Sequence, residues 1–370
     1  MNWVGSKKLA LIPLHRSDAD PPDLVPADWS NQILARVFLF PDPNTRLDMS
    51  LRAYIRAMSS GLADIDAVVM PMETVTSLHP AGFPETAALE AQLGPQLQSQ
   101  GFDAAAWVMN NSHIVGSDSP FFSVVDMVEA PSVLGVWATT FITSLTGYFV
   151  QFGKSPQMAA YDEVVGSGGI HPSAYTKAHI GWLDSSAIAE PIGRAAVNYN
   201  LHSVGLVQPP PFGRSAAVRI GSQPPFLMVE ARQRVDQFEA GIPGEGVIVY
   251  QVSAEGPNNG TLDLLTPTAL TVGQGFTSDT GVTVKVVKAL PGGFSVSVQD
   301  PNNAQVIVPD VVGELVSKAE TRLLAAGLVP AIGKGPNTQY SWVFEQKPPA
   351  ETIVPVKSTV TLTPKTGPIP

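Results

Sequence analysis

Apolar and polar positions in this chain alternate with two different periods, and the change of period divides it. KKLALIPL (7–14) and ILARVFLF (33–40) are short apolar runs bounded by Pro and Asp, the pattern of buried strands, and are expected to pair in one sheet. Between Asn44 and Leu62, Leu47, Leu51, Tyr54, Ile55 and Met58 recur at helical spacing, with Gly61 placed to cap the C-terminus. DIDAVVMPME (64–73) reads as a further strand. PETAALEAQLGPQLQ (84–98) is rich in helix formers and predicts a second helix. From Ser132 to Gly153 no residue is charged. There Leu134, Val136, Trp137, Phe141, Ile142 and Leu145 cover most of a helix circumference, which predicts a buried central helix over about 134–149.

Beyond about residue 195 the period shortens to that of strands: AAVRIG, PFLMVEARQ, GVIVYQV, TLDLL, ALTVGQGF, VTVKVVKAL and GGFSVSVQD, separated by turn residues such as PNNG (257–260) and PGG (291–293). An antiparallel β sandwich or a sheet extension fits this stretch. After the polar linker QDPNNAQ the pattern changes again, to VPDVVG, a helix SKAETRLLAAGL ending at Gly327, and the strands WVFEQKPPAETIV and STVTLTP. The predicted class is α+β: a mixed α/β domain over 1–200, a β-rich domain over 201–303 and a small α+β module over 304–370.

Composition narrows the function classes. With 22 Lys and Arg against 32 Asp and Glu the formal charge is −10, which argues against a nucleic-acid groove or an anionic membrane surface as partner. Charged residues are only 15% of the chain and it holds 32 Gly and 34 Pro, a turn-rich and weakly charged balance; at 44% hydrophobic it still has material for a core. The absence of cysteine excludes disulfides, thiolate metal sites and cysteine nucleophiles. The uncharged segment is long enough to span a bilayer, but its Ser and Thr content, its glycines and the single flanking Lys154 favour a buried helix over a membrane span. The first fifteen residues carry an apolar stretch of only six, broken by Pro13, so no signal peptide is legible.

VPDVVG (308–313), the helix with Ala319 and Leu323 to Gly327, and QKPPAETIVPVKSTVTL (346–362) together resemble a PASTA domain, the small module of penicillin-binding proteins and serine/threonine kinases. The resemblance implies one helix on three strands and, in several cell-envelope proteins, contact with peptidoglycan; many such modules act only as spacers. SLRAYIRAMSSGLADIDAVVMP (50–71), YDEVVGSGGIHPSAYTKAHIGWLD (161–184), FLMVEARQRVDQFEAGIPGEGVIVYQV (226–252) and GVTVKVVKALPGGFSVSV (281–298), in that order, resemble the immune-inhibitor-A-like metallopeptidases, secreted zinc enzymes.

That second resemblance implies a helix carrying H-E-x-x-H, two imidazoles one turn apart to hold zinc and a carboxylate to activate water. The corresponding segment here reads Thr139-Thr140-Phe141-Ile142-Thr143, with threonine at both His positions and at the Glu position. Where an acidic third ligand is expected, the chain has apolar Val150. Neutral hydroxyls are poor zinc ligands beside imidazole or carboxylate. The expectation is therefore a pseudoenzyme without metal or cofactor, a binding or structural component at or outside the cell envelope. Its expected partners are a protein or peptide, or peptidoglycan through the tail, with an oligomer or larger assembly as a further option. The alternative is an active metal-dependent peptidase or other hydrolase with a rearranged site, for which Asp162, Glu163, His171 and His179 are the candidate ligands. Ser112-His113 forms no nucleophile elbow, Glu230 and Arg232 read as a structural strand pair, and Trp137 and Trp182 read as core.

Overall fold

Strand β1 (Gly5–Arg16) lies at the centre of a parallel sheet with β2 (Ala63–Val69), β3 (Glu73–Val75), β4 (Ala104–Met109) and β5 (Phe122–Asp126). A parallel sheet needs cover on both faces, and the alternation along β1 provides for it: Leu9 and Leu11 enter one core, while Ala10, Ile12 and Leu14 enter the other. On the first face pack α1 (Trp29–Phe38), α2 (Leu51–Met58) and, after α3 (Pro84–Ser99), the uncharged helix α4 (Val133–Thr146). Leu89, Leu93 and Leu97 of α3 close the second face over Trp107 and Phe122. The computed structural model describes all residues except 1, 18–26, 43, 76–83, 111–120, 128–132, 149, 167, 255–259, 304, 337 and 367–370. Ser112-His113 and His79 fall outside the described residues.

Two expectations are corrected here. ILARVFLF is not a strand paired with 7–14. It completes α1, in which Trp29, Ile33 and Val37 are buried at every fourth position while Leu39, which the helix does not need, is exposed. The helix expected from Asn44 to Leu62 is shortened to Leu51–Met58. Upstream, Asp42 Oδ1 accepts from Asn44 N, and Asp48 Oδ1 accepts from the backbone of Phe40 and Ser50, so short acidic side chains offer the backbone a turn in place of a helix. Ser50 then caps α2 by accepting from Ala53 N at 3.2 Å. Gly61 ends the segment in the left-handed region at φ 82°, with its N–H on the Arg56 carbonyl, as a C-terminal glycine does.

The chain divides into two compact units, Met1–Ala189 with Tyr199–Gln274 and Val286–Val296, and Glu190–Asn198 with Gly275–Lys285 and Ser297–Pro370. In the first, β6 (Val150–Phe152), the short helices α5 (Glu163–Gly166) and α6 (Ala174–His179) and β7 (Ile188–Ala189) precede β8 (Val197–His202), β9 (Ala217–Ile220), β10 (Phe226–Arg232), β11 (Gly246–Ala254) and β12 (Gly260–Leu264). A six-stranded sheet runs β6-β12-β11-β10-β9-β7. Its centre is antiparallel as the alternation predicts, but both outer pairs, β6 with β12 and β7 with β9, are parallel. Its buried residues Met228, Ile248, Tyr250 and Leu262 share one core with Trp137 and Phe141 of α4. No helix among the described residues is long and apolar enough to cross a membrane.

The second unit holds β13 (Gly275–Thr277), paired antiparallel with the start of β14 (Thr283–Leu290); the remainder of β14, the tight turn and the start of β15 (Gly293–Gln299) are counted in the first. The rest is β16 (Gln305–Ile307), α7 (Val316–Ala325), β17 (Val329–Ile332), β18 (Trp342–Lys347), β19 (Ile353–Pro355) and β20 (Thr359–Lys365). With seven helices and several sheets among the described residues, the chain is mixed α+β.

Candidate functional site

Helix α4 carries Thr139 and Thr143 one turn apart, with Thr140 next to the first. Thr139 Oγ1 lies 2.9 Å from the Glu163 carbonyl oxygen and 3.3 Å from Glu163 Oε1, so its hydroxyl is committed to α5. Thr140 is buried, and the Thr143 hydroxyl is enclosed with no hydrogen-bond partner among the described residues. Residue 150 opens β6, where its backbone pairs with Gly260. Glu163 is fully buried, and burial holds its carboxyl well above the usual range although Ile170 N donates to Oε2 at 2.8 Å. Below it, Tyr148, Tyr175 and His179 form an aromatic stack, the His179 ring centroid lying 5.2 Å from Tyr148 and 4.2 Å from Tyr175.

The other candidate ligands are drawn into structural bonds. Asp162 accepts from Val164 N, Val165 N, Ser173 N and the Thr176 hydroxyl, which saturates both oxygens and fixes the start of α6. His171 sits between Asp236 Oδ2, 2.8 Å from Nε2, and Lys177 Nζ, 3.0 Å from Nδ1. His179 Nδ1 faces the Tyr175 carbonyl at 3.1 Å. Among the described residues no three His, Asp or Glu side chains converge to hold a metal ion. The donor set around α4, three neutral hydroxyls with one already bonded to Glu163, does not suit zinc.

What the structure does assemble is a buried ionic network around Arg232 that residue spacing does not announce. Arg232 and Glu230 project from β10, the guanidinium meeting Glu230 Oε1 at 3.1 Å and Glu239 Oε1 at 2.6 Å, all three side chains fully enclosed. It also donates to the carbonyls of Tyr161 and His171, tying the 161–171 segment to the sheet. Glu230 Oε2 accepts from Ala174 N and the Tyr250 hydroxyl. Burial by itself would lower Arg232, but Glu239 and Glu230 outweigh it and hold the guanidinium charged. Lys177, fully buried, donates to the Val204 carbonyl at 2.9 Å, and burial with the nearby Arg232 charge draws its ammonium down to about 7. Burial, then Lys177, takes His171 to about 3, so the imidazole is neutral: its Nε2–H donates to Asp236 while Nδ1 accepts from lysine. Glu230 and Arg232, expected as a strand pair, are ion-paired here, and Lys177, Asp236 and Glu239 join them through the fold. Of these groups Asp236 alone reaches solvent, and the enclosed ones hold the backbone of the 161–177 segment against the sheet.

The C-terminal module has its own core. Val306, Val308, Val311, Val316, Ala319, Leu323, Leu328, Val343, Val354, Val360 and Leu362 form one buried cluster, with α7 over a three-stranded sheet ordered β17-β20-β18 and a two-stranded β16-β19 pair. The Gln346 side chain, nearly buried, accepts from Val311 N and donates to the Pro309 carbonyl, fastening the entry segment VPDVV to β18. The family model for the PASTA domain matches residues 306–363. Residues 306–363 are a PASTA domain. Its expected architecture of one helix on three strands is present in full. On its edge strand β18, Phe344 is half-exposed beside Trp342, with Lys365 Nζ 3.2 Å from the ring centroid. No curated protein matches the chain.

Proposed function

We propose that this chain is a non-catalytic, metallopeptidase-like scaffold joined to a PASTA domain, acting as a binding or structural component at the cell envelope or outside the cell. The observation that carries this reading is the state of α4. Where the resemblance calls for two imidazoles and a carboxylate, the helix holds three threonines, and Thr139 is bonded to the buried Glu163. A zinc peptidase needs a Lewis acid and a general base at one point, and the base contributes about 10²- to 10⁴-fold on its own. Hydroxyls at pH 7 supply neither. The scaffold does not need the metal to hold its shape, because the Arg232 network and the bonds of Asp162 fasten the 161–177 segment beneath the helix. The PASTA domain supports an envelope location, with peptidoglycan the ligand class such domains commonly bind.

The test is metal content of the purified full chain together with turnover of a general protease substrate. The expected result is no stoichiometric zinc and no EDTA-sensitive cleavage. Zinc at one per chain with cleavage abolished by EDTA would sink the inactive reading and favour a rearranged hydrolase site.

A further inference from the structure

On one side the parallel sheet ends at β2, which among the described residues pairs with β1 alone. The bonds of that ladder fix which backbone groups are left over. Gly5 N donates to the Leu62 carbonyl and Met70 N to the Leu11 carbonyl, so the even-numbered residues of this stretch face β1. The N–H groups of Ala63, Ile65 and Ala67 therefore point away from the sheet. A row of outward N–H groups at a sheet edge is a template for another strand. The surroundings would welcome one, since Leu62 is 47% exposed, Val68 is 40% exposed, and β-branched side chains favour strand pairing.

Each of these three N–H groups already has a side-chain acceptor. Ser59 Oγ accepts from Ala63 N at 2.9 Å and donates to the Ala63 carbonyl at 3.3 Å, satisfying both outward groups of that residue. Asp64 Oδ1 accepts from Ile65 N at 2.9 Å, and Asp66 Oδ1 accepts from Ala67 N at 3.0 Å. Acceptors thus stand at every second position, the spacing at which an added strand would present its carbonyls. Asp64 is also locked. Arg52 and Arg56, one turn apart on α2, each grip its carboxylate with Nε and a terminal nitrogen, at 2.8 and 2.9 Å for the first and 3.0 and 2.7 Å for the second. The bonds from Arg52 lead in holding that carboxyl well below the usual carboxylate range, so it stays an acceptor.

We propose that Ser59, Asp64 and Asp66 close the outer edge of β2 to strand addition by a second copy of this chain. The β2 edges of two copies are the natural pair, since a two-fold axis would set them antiparallel and join two sheets into one. For that to happen each incoming carbonyl must displace a side-chain oxygen, and at Ile65 the oxygen is held by two guanidiniums. Charge opposes the pairing as well, because it would bring Asp64 and Asp66 of one copy beside those of the other. The two effects are separable: asparagine keeps the accepting Oδ1 and loses the charge.

This inference is independent of the inactive-scaffold reading, which zinc content and proteolysis decide. The experiment begins with residue-resolved amide hydrogen exchange on the dilute full chain, comparing wild type, Asp66→Ala and Asp66→Asn. Relative to its intrinsic rate, the Ala67 amide should exchange about 10-fold faster in Asp66→Ala, the effect of losing one hydrogen bond to a carboxylate, and close to the wild-type rate in Asp66→Asn. Sedimentation velocity at physiological ionic strength, where long-range charge is screened, then compares two double variants. Asp64→Ala/Asp66→Ala should associate about 10-fold more tightly than wild type or Asp64→Asn/Asp66→Asn, with the Ile65 and Ala67 amides regaining protection as concentration rises. Melting temperatures show whether the double variants fold; Asp66 is exposed, so Asp66→Ala against Asp66→Asn carries the same comparison if they do not. Four results would each overturn the proposal: equal Ala67 exchange in wild type and Asp66→Ala, asparagine variants that associate as readily as the alanine ones, alanine variants no more associated than wild type, or association that leaves Ile65 and Ala67 unprotected.

Discussion

At the scale of single residues, the unusual feature is the number of ionisable groups enclosed without solvent. Lys177 titrates near 7 in the fold but near 10.5 in an unfolded chain. Between those values the unfolded state binds the extra proton, so stability rises with pH across that window and the penalty is complete below about pH 7. Urea unfolding of wild type and Lys177→Met from pH 7 to 9.5 should show the difference moving in favour of wild type by up to about 1.4 kcal/mol per pH unit. A parallel pH response would mean that lysine is already paired and charged. Glu163 carries the opposite sign. Its folded carboxyl is raised by burial, so the folded state holds a proton that the unfolded state has released, and stability falls as pH rises above about 4.5. Glu163→Gln keeps an acceptor for Ile170 N and removes the charge. It should melt above wild type at pH 7, with the gap closing toward pH 4.5; a variant less stable at both pH values would show that the Thr139 and Ile170 bonds outweigh the desolvation of the carboxylate.

At the scale of elements, the proposed reading makes α4 the counterpart of a zinc-binding helix, with threonines where that reading expects ligands. Thr139 and Thr143 stand one turn apart, and Trp137, Ala138, Phe141 and Ile142 bury its other positions in the shared core. The fourfold variant Thr139→His, Thr140→Glu, Thr143→His and Val150→Asp should take up zinc, measured as metal per chain after gel filtration. Full activity is not expected, because the partners that orient imidazoles in a working site are missing here: Asp162 and His171 are spent on backbone and on Asp236. No uptake would mean that the space over α4 has been remodelled along with its side chains. The loss of the 33–40 strand to α1 belongs to the same scale, since a run of eight residues that are all apolar but Arg36 satisfies either period and only the packing of Trp29, Ile33 and Val37 chooses.

At the scale of the whole molecule, the PASTA domain has a core of its own among the described residues, its buried cluster drawing none from before 306. Among the described residues, deleting 304–370 breaks the bonds from Gly193 N to the Gln305 carbonyl and from Gln305 N to Asn303 Oδ1, while Asn303 to Pro191 and Gln299 to Arg194 stay. The truncated chain should therefore fold with its melting temperature nearly unchanged and lose retention on purified sacculi. Equal retention of both forms would leave the domain as a spacer, and insolubility on truncation would show that the domain is needed for the fold.

The sequence by itself determined the PASTA domain, the course of the central helix, the strand-rich stretch after residue 195 and the absence of H-E-x-x-H, because each of these is written in local period or in residue identity. Tertiary structure decided the rest, for reasons of packing and desolvation. The helix period of α1 is visible only once a sheet lies under it. The entry of β6 and β7 into a sheet built mainly from residues 217–264 depends on pairing across more than a hundred residues of chain for β6. The fate of Asp162, Glu163, His171 and His179, four residues of metal-binding type within eighteen positions, was fixed by which donors the fold brought to each first. Backbone N–H groups took Asp162, burial and Thr139 took Glu163, Lys177 and Asp236 took His171, and two tyrosine rings took His179. Residue type permits a ligand; only the three-dimensional competition for its lone pairs decides whether it is one.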